Sequence, residues 1–157
     1  MNDRVILKED EVDLQKFKEK MIYDDTDALV TLTERARNMR KGSRVKFVKI
    51  ESYGSTTKNS MHKIKDLIRK RFDINNIVII QRLGTFESGD DIREILISAP
   101  DKGEALEALA MANDLIRSHV PIKKKVALED GREYWVKRAD EVMDMYGQVV
   151  QGVMGDE

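Results

Sequence analysis

A single α+β domain is the fold that this sequence predicts, on the basis of three observations. The chain has 157 residues, a length that suits one hydrophobic core. Apolar residues occur both with the two-residue alternation of strands and with the spacing of helices. The two kinds of segment do not alternate strictly as strand–helix–strand units. We therefore place one domain over residues 1–151 and expect residues 152–157 to form a frayed tail.

The N-terminal third predicts three strands, one helix and one loop. In chain order they are a strand at 4–7, a helix at 10–21, a strand at 28–35, a basic flexible loop at 38–43 and a strand at 44–53. The helix is indicated by Leu14, Phe17 and Met21, which recur at helical spacing. In the first long strand, Val30 and Leu32 share one face, and the residues between them point to the other.

The middle of the chain predicts a long helix followed by two strands. These elements cover residues 55–71, 77–83 and 92–99, with Gly84 and Gly89 in a loop between the strands. The helix has candidate N-caps at Ser55, Thr56 and Thr57 and a buried stripe of Met61, Ile64, Leu67 and Ile68. The strand at 77–83 is almost continuously apolar, so we expect it to be the most buried strand.

The C-terminal part predicts a helix, a β-hairpin and a last helix. The helices cover residues 104–118 and 139–150, and the hairpin strands cover 122–128 and 132–137. The pair Asp130-Gly131 predicts the hairpin turn, because this pair favours the backbone of tight two-residue turns. One side of the first helix carries Ala105, Leu109, Ala112 and Ile116, with Ala108 and Leu115 widening it.

Composition excludes several classes of function. There are no cysteines, which rules out disulfides, thiolate nucleophiles and cysteine metal sites. The two histidines have no nearby carboxylate pattern, so we expect no bound metal. The net charge of −1, with both signs interleaved, argues against nucleic-acid binding. Apolar runs are too short to span a bilayer, and the first residues do not resemble a signal peptide, so we expect a cytoplasmic protein with no membrane association.

Four basic clusters remain as candidate anion sites. They are Arg35 with Arg37, Arg40-Lys41, Arg69-Lys70-Arg71 and Lys123-Lys124-Lys125. A solvated surface is the ordinary explanation of such clusters, and we favour it strongly for residues 69–71, on the exposed side of an amphipathic helix.

The three consecutive lysines differ because successive side chains in a strand point to opposite faces. If Ile122 and Val126 face the core, Lys124 shares their face and is partly buried. A buried lysine is costly unless an anion or a special role compensates for the lost hydration. A lysine at a sheet edge that reaches to water explains the pattern equally well.

Short motifs along residues 28–136 have the order and spacing of a known family. They are Val30-Thr31-Leu32-Thr33, Arg37-Asn38, Gly42, Glu51-Ser52-Tyr53, Arg82-Leu83-Gly84, Gly89-Asp90, Ser98-Ala99, Glu104-Ala105-Leu106-Glu107-Ala108, Pro121-Ile122-Lys123-Lys124, Asp130-Gly131 and Trp135-Val136. In these motifs the chain resembles the catalytic, larger subunit of molybdopterin synthase. The resemblance implies an α/β hammerhead-like domain with additional antiparallel strands.

The resemblance also implies an activity. That family adds two sulfurs to cyclic pyranopterin monophosphate to give the dithiolene of molybdopterin. The sulfur arrives as a thiocarboxylate on the C-terminal Gly-Gly of a small ubiquitin-like carrier subunit. Family members pair as homodimers, which form heterotetramers with the carrier, and need no cofactor. Because substrate and thiocarboxylate are both anions, a pocket of lysine and arginine is the physical requirement.

Residues can be carried over from the family one at a time. Lys124 falls on an active-site lysine, and Arg117 stands where the family has a second one. The implied catalytic residues are therefore Lys124 and Arg117. The implied substrate-binding residues are Arg35, Arg37, Lys102 and Lys125. From these matches we expect Arg37, Lys102, Arg117 and Lys124 to converge on one concave site.

Several positions depart from the family pattern. Arg117 keeps its proton and cannot serve as a base or an amine nucleophile, although it still neutralises an anion. The loop before the long helix has Lys102 for the family's arginine but no equivalent of its histidine, and Asp101 adds repulsion toward a phosphate. Glu34 replaces a glycine, and Lys123 replaces an aromatic residue.

These departures leave alternatives open. The chain is either a working synthase subunit in which Lys124 alone moves protons, or a relative that keeps the fold and binding groove without the reaction. We favour the first because Arg37, Lys124 and Lys125 match the family in type. An unrelated dimeric scaffold with a surface lysine strand is a third alternative.

Overall fold

Two β-sheets and three helices organise residues 1–136, the part of the chain that this computed structural model describes. In chain order the elements are β1 (Arg4–Lys8), α1 (Leu14–Lys20), β2 (Ala28–Arg35), β3 (Met39–Arg40), β4 (Ser43–Ser52), α2 (Ser55–Arg71), β5 (Asn76–Arg82), β6 (Gly84–Phe86), β7 (Asp91–Ala99), α3 (Lys102–His119), β8 (Ile122–Leu128) and β9 (Glu133–Trp135). The predicted helix at 139–150, the domain end at 151 and the predicted tail at 152–157 lie outside the described residues.

The first sheet has the strand order β1-β5-β7-β2 and holds the main core. β1 runs parallel to β5, whereas the β5–β7 and β7–β2 pairs are antiparallel. α2 and α3 pack on one face of this sheet, and α1 packs on the other. β5 is therefore buried on both faces, which confirms it as a fully buried strand and explains its continuous apolar run.

The second sheet is built around β4. This strand pairs with β8 over most of its length, with β3 at its start and with β6 near its end. β9 extends the sheet by pairing with β8. A smaller core lies on one face, where Val48, Ile50 and Val126 are buried. The mixture of parallel and antiparallel pairs with separate helices confirms the α+β class.

Two helix starts differ from the sequence predictions because of local capping. α1 begins at Leu14 rather than at residue 10, since the Asp13 carboxylate accepts the amide hydrogen of Gln15 at 3.1 Å. α3 begins at Lys102, since Asp101 accepts the amide hydrogen of Glu104 at 3.0 Å. Asp101 is therefore a helix cap, and this role explains its presence before α3.

The N-cap of α2 differs from the prediction, although its bounds, Ser55–Arg71, agree with it. Its N-cap is Gly54, with φ +59°, and none of the predicted serine or threonine caps takes that role. The Thr57 hydroxyl instead accepts the Tyr53 amide at 2.8 Å and donates to the Pro121 carbonyl at 2.6 Å. These bonds fasten the end of β4 to the start of β8 through one buried side chain.

Two predicted loops contain strands. Residues 38–43 form a tight hairpin in which Lys41 and Gly42 both have positive φ, the backbone of a type I′ turn, so this segment is not a flexible loop. After β5, Gly84 adopts φ +121° and the chain pairs with β4 as β6, opposite Ile50. The last strand is shorter than predicted and covers only Glu133–Trp135.

The basic cluster at residues 69–71 is exposed, as predicted, and Arg69 in addition makes specific bonds to neighbouring elements. Its guanidinium donates to both carboxylate oxygens of Asp3, at 2.9 and 2.6 Å. It also donates to the carbonyls of Ile74 and Asn75, at 2.7 and 2.8 Å. Asp3 in turn accepts the amide of Ile77 at 3.1 Å. Arg69 therefore joins α2 to the segment leading into β5 and to the start of β1.

None of the helices within residues 1–136 combines the length and the apolarity that crossing a membrane requires.

Candidate active site

A cation-rich pocket of about 450 Å³ opens where the two sheets meet the C-terminal end of α3. Its charged lining consists of Arg37, Arg40, Arg93, Arg117, Lys124 and a single carboxylate, Glu34. Ile116, Val120, Ile122 and Val136 supply an apolar wall. A pocket with convergent cations and one apolar wall suits an anion that carries a flat or apolar portion.

Lys124 lies at the centre of this lining, on β8. It is opposite Ile50 of β4, and its carbonyl accepts the amide of Val136 at 2.7 Å, so its strand is covered on both edges. The side chain shares the face of the buried Val126, as its position in the lysine triplet predicts. Lys124 is half-buried rather than extended to water from a sheet edge, which removes that alternative.

The surroundings of Lys124 lower its pKa below that of a free lysine side chain. Burial lowers the pKa of Lys124, the Glu34 carboxylate opposes this shift, and Arg40, Arg93 and Arg37 reinforce it. An amine with a lowered pKa can exchange its proton more readily near neutral pH. Lys124 is therefore the side chain of this pocket best suited to proton transfer.

Arg93 is held by a buried network that the sequence interpretation missed. Its Nε donates to Gln81 Oε1 at 2.7 Å, and its Nη1 lies 3.3 Å from Glu34 Oε2. Gln81 is itself fixed, because its amide donates to the backbone carbonyls of Arg82 and Ile92 at 3.0 and 3.1 Å. Burial lowers the pKa of Arg93, and Glu34 opposes that shift. The available signal was a charged residue within the apolar stretch of residues 92–99.

Arg40 is a second residue to which the sequence analysis gave no role at the site, although it named the Arg40-Lys41 cluster as a candidate anion site. It lies in the β3 hairpin, and its Nε is buried without a hydrogen-bond partner among residues 1–136. A buried guanidinium nitrogen without a partner is costly, and an anion in the pocket would supply one. Arg37 after β2 and Arg117 in the last turn of α3 complete the cationic wall.

Arg35 and Lys125 lie away from this pocket. A β-bulge between Glu34 and Arg35 turns the Arg35 side chain outward, where its Nε donates to the Gly89 carbonyl at 3.3 Å. Lys125 points to the opposite face of β8 from Lys124 and forms an ion pair with Glu133 at 3.0 Å. The structure therefore does not bring either residue to the site that the resemblance implied.

Lys102 is also separate from the pocket within one chain. It is the first residue of α3, whereas Arg117 lies in the last turn of the same helix. A straight helix places these two residues roughly 22 Å apart along its axis. Of the four residues expected to converge, Arg37, Arg117 and Lys124 do so, and the expectation was wrong for Lys102 in a single protomer.

Comparisons with known proteins agree with this fold. The family model for the MoaE protein matches residues 7–119. The molybdopterin synthase catalytic subunit of Halalkalibacterium halodurans is 29% identical over 85% of this chain and 85% of its own length. The structure of molybdopterin synthase from Staphylococcus aureus has a TM-score of 0.77 and 26% identity, covering 84% of this chain and 96% of that one.

A more distant structure shares the fold alone. It is a complex of subunits 1 and 2 of molybdopterin-converting factor from Helicobacter pylori, matched with a TM-score of 0.71 at 13% identity. The match covers 86% of this chain and 91% of that one. An unrelated scaffold is excluded, because the MoaE model covers most of the sequence and the fold matches the Staphylococcus aureus structure over 84% of the chain. The chain belongs to the MoaE protein family.

Proposed function

We propose that this protein acts in molybdenum cofactor biosynthesis as a sulfurtransferase, the catalytic subunit of a molybdopterin synthase. In this proposal sulfur passes from a thiocarboxylated ubiquitin-like carrier to cyclic pyranopterin monophosphate, in the cytoplasm. The observation that carries it is the half-buried Lys124 in a 450 Å³ pocket whose other cations are all arginines. The relatives' description as molybdopterin synthase catalytic subunits supports the same role.

The pocket supplies what an anionic pterin needs. Arg37 and the buried Nε of Arg40 are available to bind the substrate phosphate through charge-assisted hydrogen bonds. The apolar wall, which includes Ile122 and Val136, offers a surface for the flat ring system. In this reaction the thiocarboxylate sulfur bonds to a pterin carbon as an oxygen leaves that carbon, and water then adds to the resulting thioester, so that the carrier leaves as a carboxylate. Lys124 takes up and returns the protons that these two steps move.

Arg117 has an electrostatic role in this proposal. It lines the same pocket as Lys124, in the last turn of α3. Because a guanidinium keeps its proton at all physiological pH values, Arg117 stabilises negative charge without exchanging a proton. The reaction therefore depends on one lysine.

The partners follow from the same proposal. The carrier is a small ubiquitin-like subunit ending in Gly-Gly, and the catalytic subunit is a homodimer that binds two carriers as a heterotetramer. Lys102 is too far from its own chain's pocket to bind the substrate there. In a homodimer, Lys102 would serve the pocket of the other protomer, which keeps its implied role.

A non-catalytic relative is the second candidate, favoured by Glu34 and Arg117. Glu34 places a negative charge in an anion pocket, and Arg117 replaces a lysine that could transfer a proton. The deciding experiment incubates the purified protein with a thiocarboxylated carrier and cyclic pyranopterin monophosphate. Dithiolene product formed at many turnovers supports the synthase, whereas bound carrier or pterin without product supports the non-catalytic relative.

A further inference from the structure

One carboxylate stands in a pocket that is otherwise cationic. Glu34 is the second-last residue of β2, opposite Arg93 of β7 in the strand register. We propose that Glu34 is a positioning residue that holds Arg93 in the pocket and supplies the negative charge that offsets the arginines around the Lys124 amine. The inference rests on the proposed function only in taking Lys124 as the group that exchanges the proton.

A rigid chain of contacts fixes the Glu34 carboxylate. The side-chain nitrogen of Gln81 donates to the backbone carbonyls of Arg82 and Ile92. The side-chain oxygen of Gln81 accepts a hydrogen bond from Arg93 Nε at 2.7 Å. Arg93 Nη1 then reaches Glu34 Oε2 at 3.3 Å. Gln81 is 1% exposed and the Arg93 side chain is 11% exposed, so solvent competes little for the Gln81–Arg93 bond, whereas the Glu34 side chain is 39% exposed on its pocket side. Glu34 is therefore anchored from the core side.

The charges around Lys124 come from several elements. Arg37 after β2, Arg40 of β3, Arg93 of β7 and Arg117 of α3 line the pocket with it, and Glu34 of β2 is the one carboxylate. On its own strand, Lys123 and Lys125 point to the opposite face, and Lys123 lies 4.9 Å from the centre of the Tyr53 ring. Tyr53 borders the shallow depression beside the pocket. The opposing residue on β4, Ile50, is apolar.

Glu34 therefore opposes Arg40, Arg93 and Arg37 in its effect on the Lys124 proton. In the empty pocket it stabilises the ammonium against burial and arginine repulsion. When it is neutralised, the charged form of Lys124 loses this attraction, and Arg93 loses its counter-charge. Both changes push the Lys124 titration to lower pH. A bound phosphate acts in the opposite direction, because it brings new negative charge.

The test is an NMR titration of the lysine side chains in the full-length protein, with Lys124 assigned from the signal missing in Lys124→Arg. We expect Glu34→Gln to shift the Lys124 titration to lower pH than in the wild type. In Glu34→Asp, which keeps the negative charge, Lys124 should titrate nearer to its wild-type pH. The matched control is Glu133→Gln, which removes the carboxylate beside Lys125 and should leave Lys124 unchanged.

Unchanged titration of Lys124 in a folded Glu34→Gln protein would overturn the inference. Should that variant fail to fold, Glu34→Gly provides a second neutral replacement with the same expected direction. The titration needs no sulfur transfer, so its result is independent of whether the wild type is an active synthase. In an active enzyme, the pH–rate limb that belongs to Lys124 should also move to lower pH in Glu34→Gln, and an unmoved limb counts against the inference.

Discussion

Lys124 and Arg117 line one pocket but differ in their ability to release a proton. Burial and three arginines lower the pKa of Lys124, whereas a guanidinium stays protonated in either environment. In the proposed reaction, a second group able to exchange a proton would share the work assigned to Lys124. We therefore expect the identity of residue 117 to limit the rate of the proposed sulfur transfer.

Arg117→Lys should raise the rate of sulfur transfer by about tenfold or more, because a well-placed acid or base is typically worth about a hundredfold or more. The new lysine would share the cationic pocket that lowers the pKa of Lys124. The measurement is kcat for dithiolene formation at saturating carrier. Arg71→Lys, at the end of α2, is the matched control and should not change kcat. An active wild type with an unchanged rate in Arg117→Lys would refute this role.

Residue roles could be predicted from the sequence only where the pattern is local. The burial of Lys124 follows from the alternation of its own strand, so it was predictable. Arg93 and Glu34 meet through the pairing of β2 with β7, which no local pattern specifies. The outward turn of Arg35 depends on a bulge in that same pairing. Arg40 reaches the pocket because its loop is a hairpin, another feature that side-chain spacing does not reveal.

At the element scale, Arg69 and Asp3 connect α2, β1 and the segment before β5. Burial raises the pKa of Asp3, but hydrogen bonds from Arg69, the Ile77 amide and Asn76 outweigh it, and the net pKa is lowered. A carboxyl whose folded pKa lies below its unfolded pKa stabilises the fold above the unfolded value. This contribution is lost as the pH falls from about 4 through the folded pKa.

Asp3→Asn should destabilise the protein at pH 7 by about 1–2 kcal/mol. This lies below the roughly 1.5–3 kcal/mol usual for hydrogen bonds to a charged group, because the Arg69 side chain is 41% exposed and partly screened by solvent. Denaturant unfolding should show the difference at pH 7 and a much smaller one near pH 2. The control, Asp130→Asn, removes the partner of the exposed Arg132 and should change the midpoint much less. Equal effects of the two variants would show that Asp3 is not a structural anchor.

The bounds of the elements were predicted accurately where hydrophobic periodicity determines them. They were predicted less accurately where a turn or a helix cap does. β2, β4, α2, β5 and β8 lie within one residue of their predicted bounds. The start of α1 moved because Asp13 caps it, and β6 escaped prediction because three residues give no periodic pattern. The existence of β6 depends instead on its partner strand β4.

The whole molecule should be a homodimer. Large apolar side chains at Met39, Tyr53, Leu106 and Trp135 are each about half exposed in the single chain. Large apolar side chains that are exposed in a single chain are often buried at an interface in the assembled protein. Light scattering at micromolar concentration should give twice the 18.1 kDa chain mass. A monomeric mass that persists as the concentration rises would contradict the dimer and the role given to Lys102.

At the same scale, the central claim is that sulfur transfer occurs in the pocket around Lys124. The most direct test compares Lys124→Ala with Lys125→Ala, its neighbour on the opposite face of β8, in the transfer assay with thiocarboxylated carrier and pyranopterin. The account predicts that Lys124→Ala lowers the rate by about a hundredfold or more, whereas Lys125→Ala stays close to the wild type. An active wild type whose rate is indifferent to Lys124→Ala would contradict it.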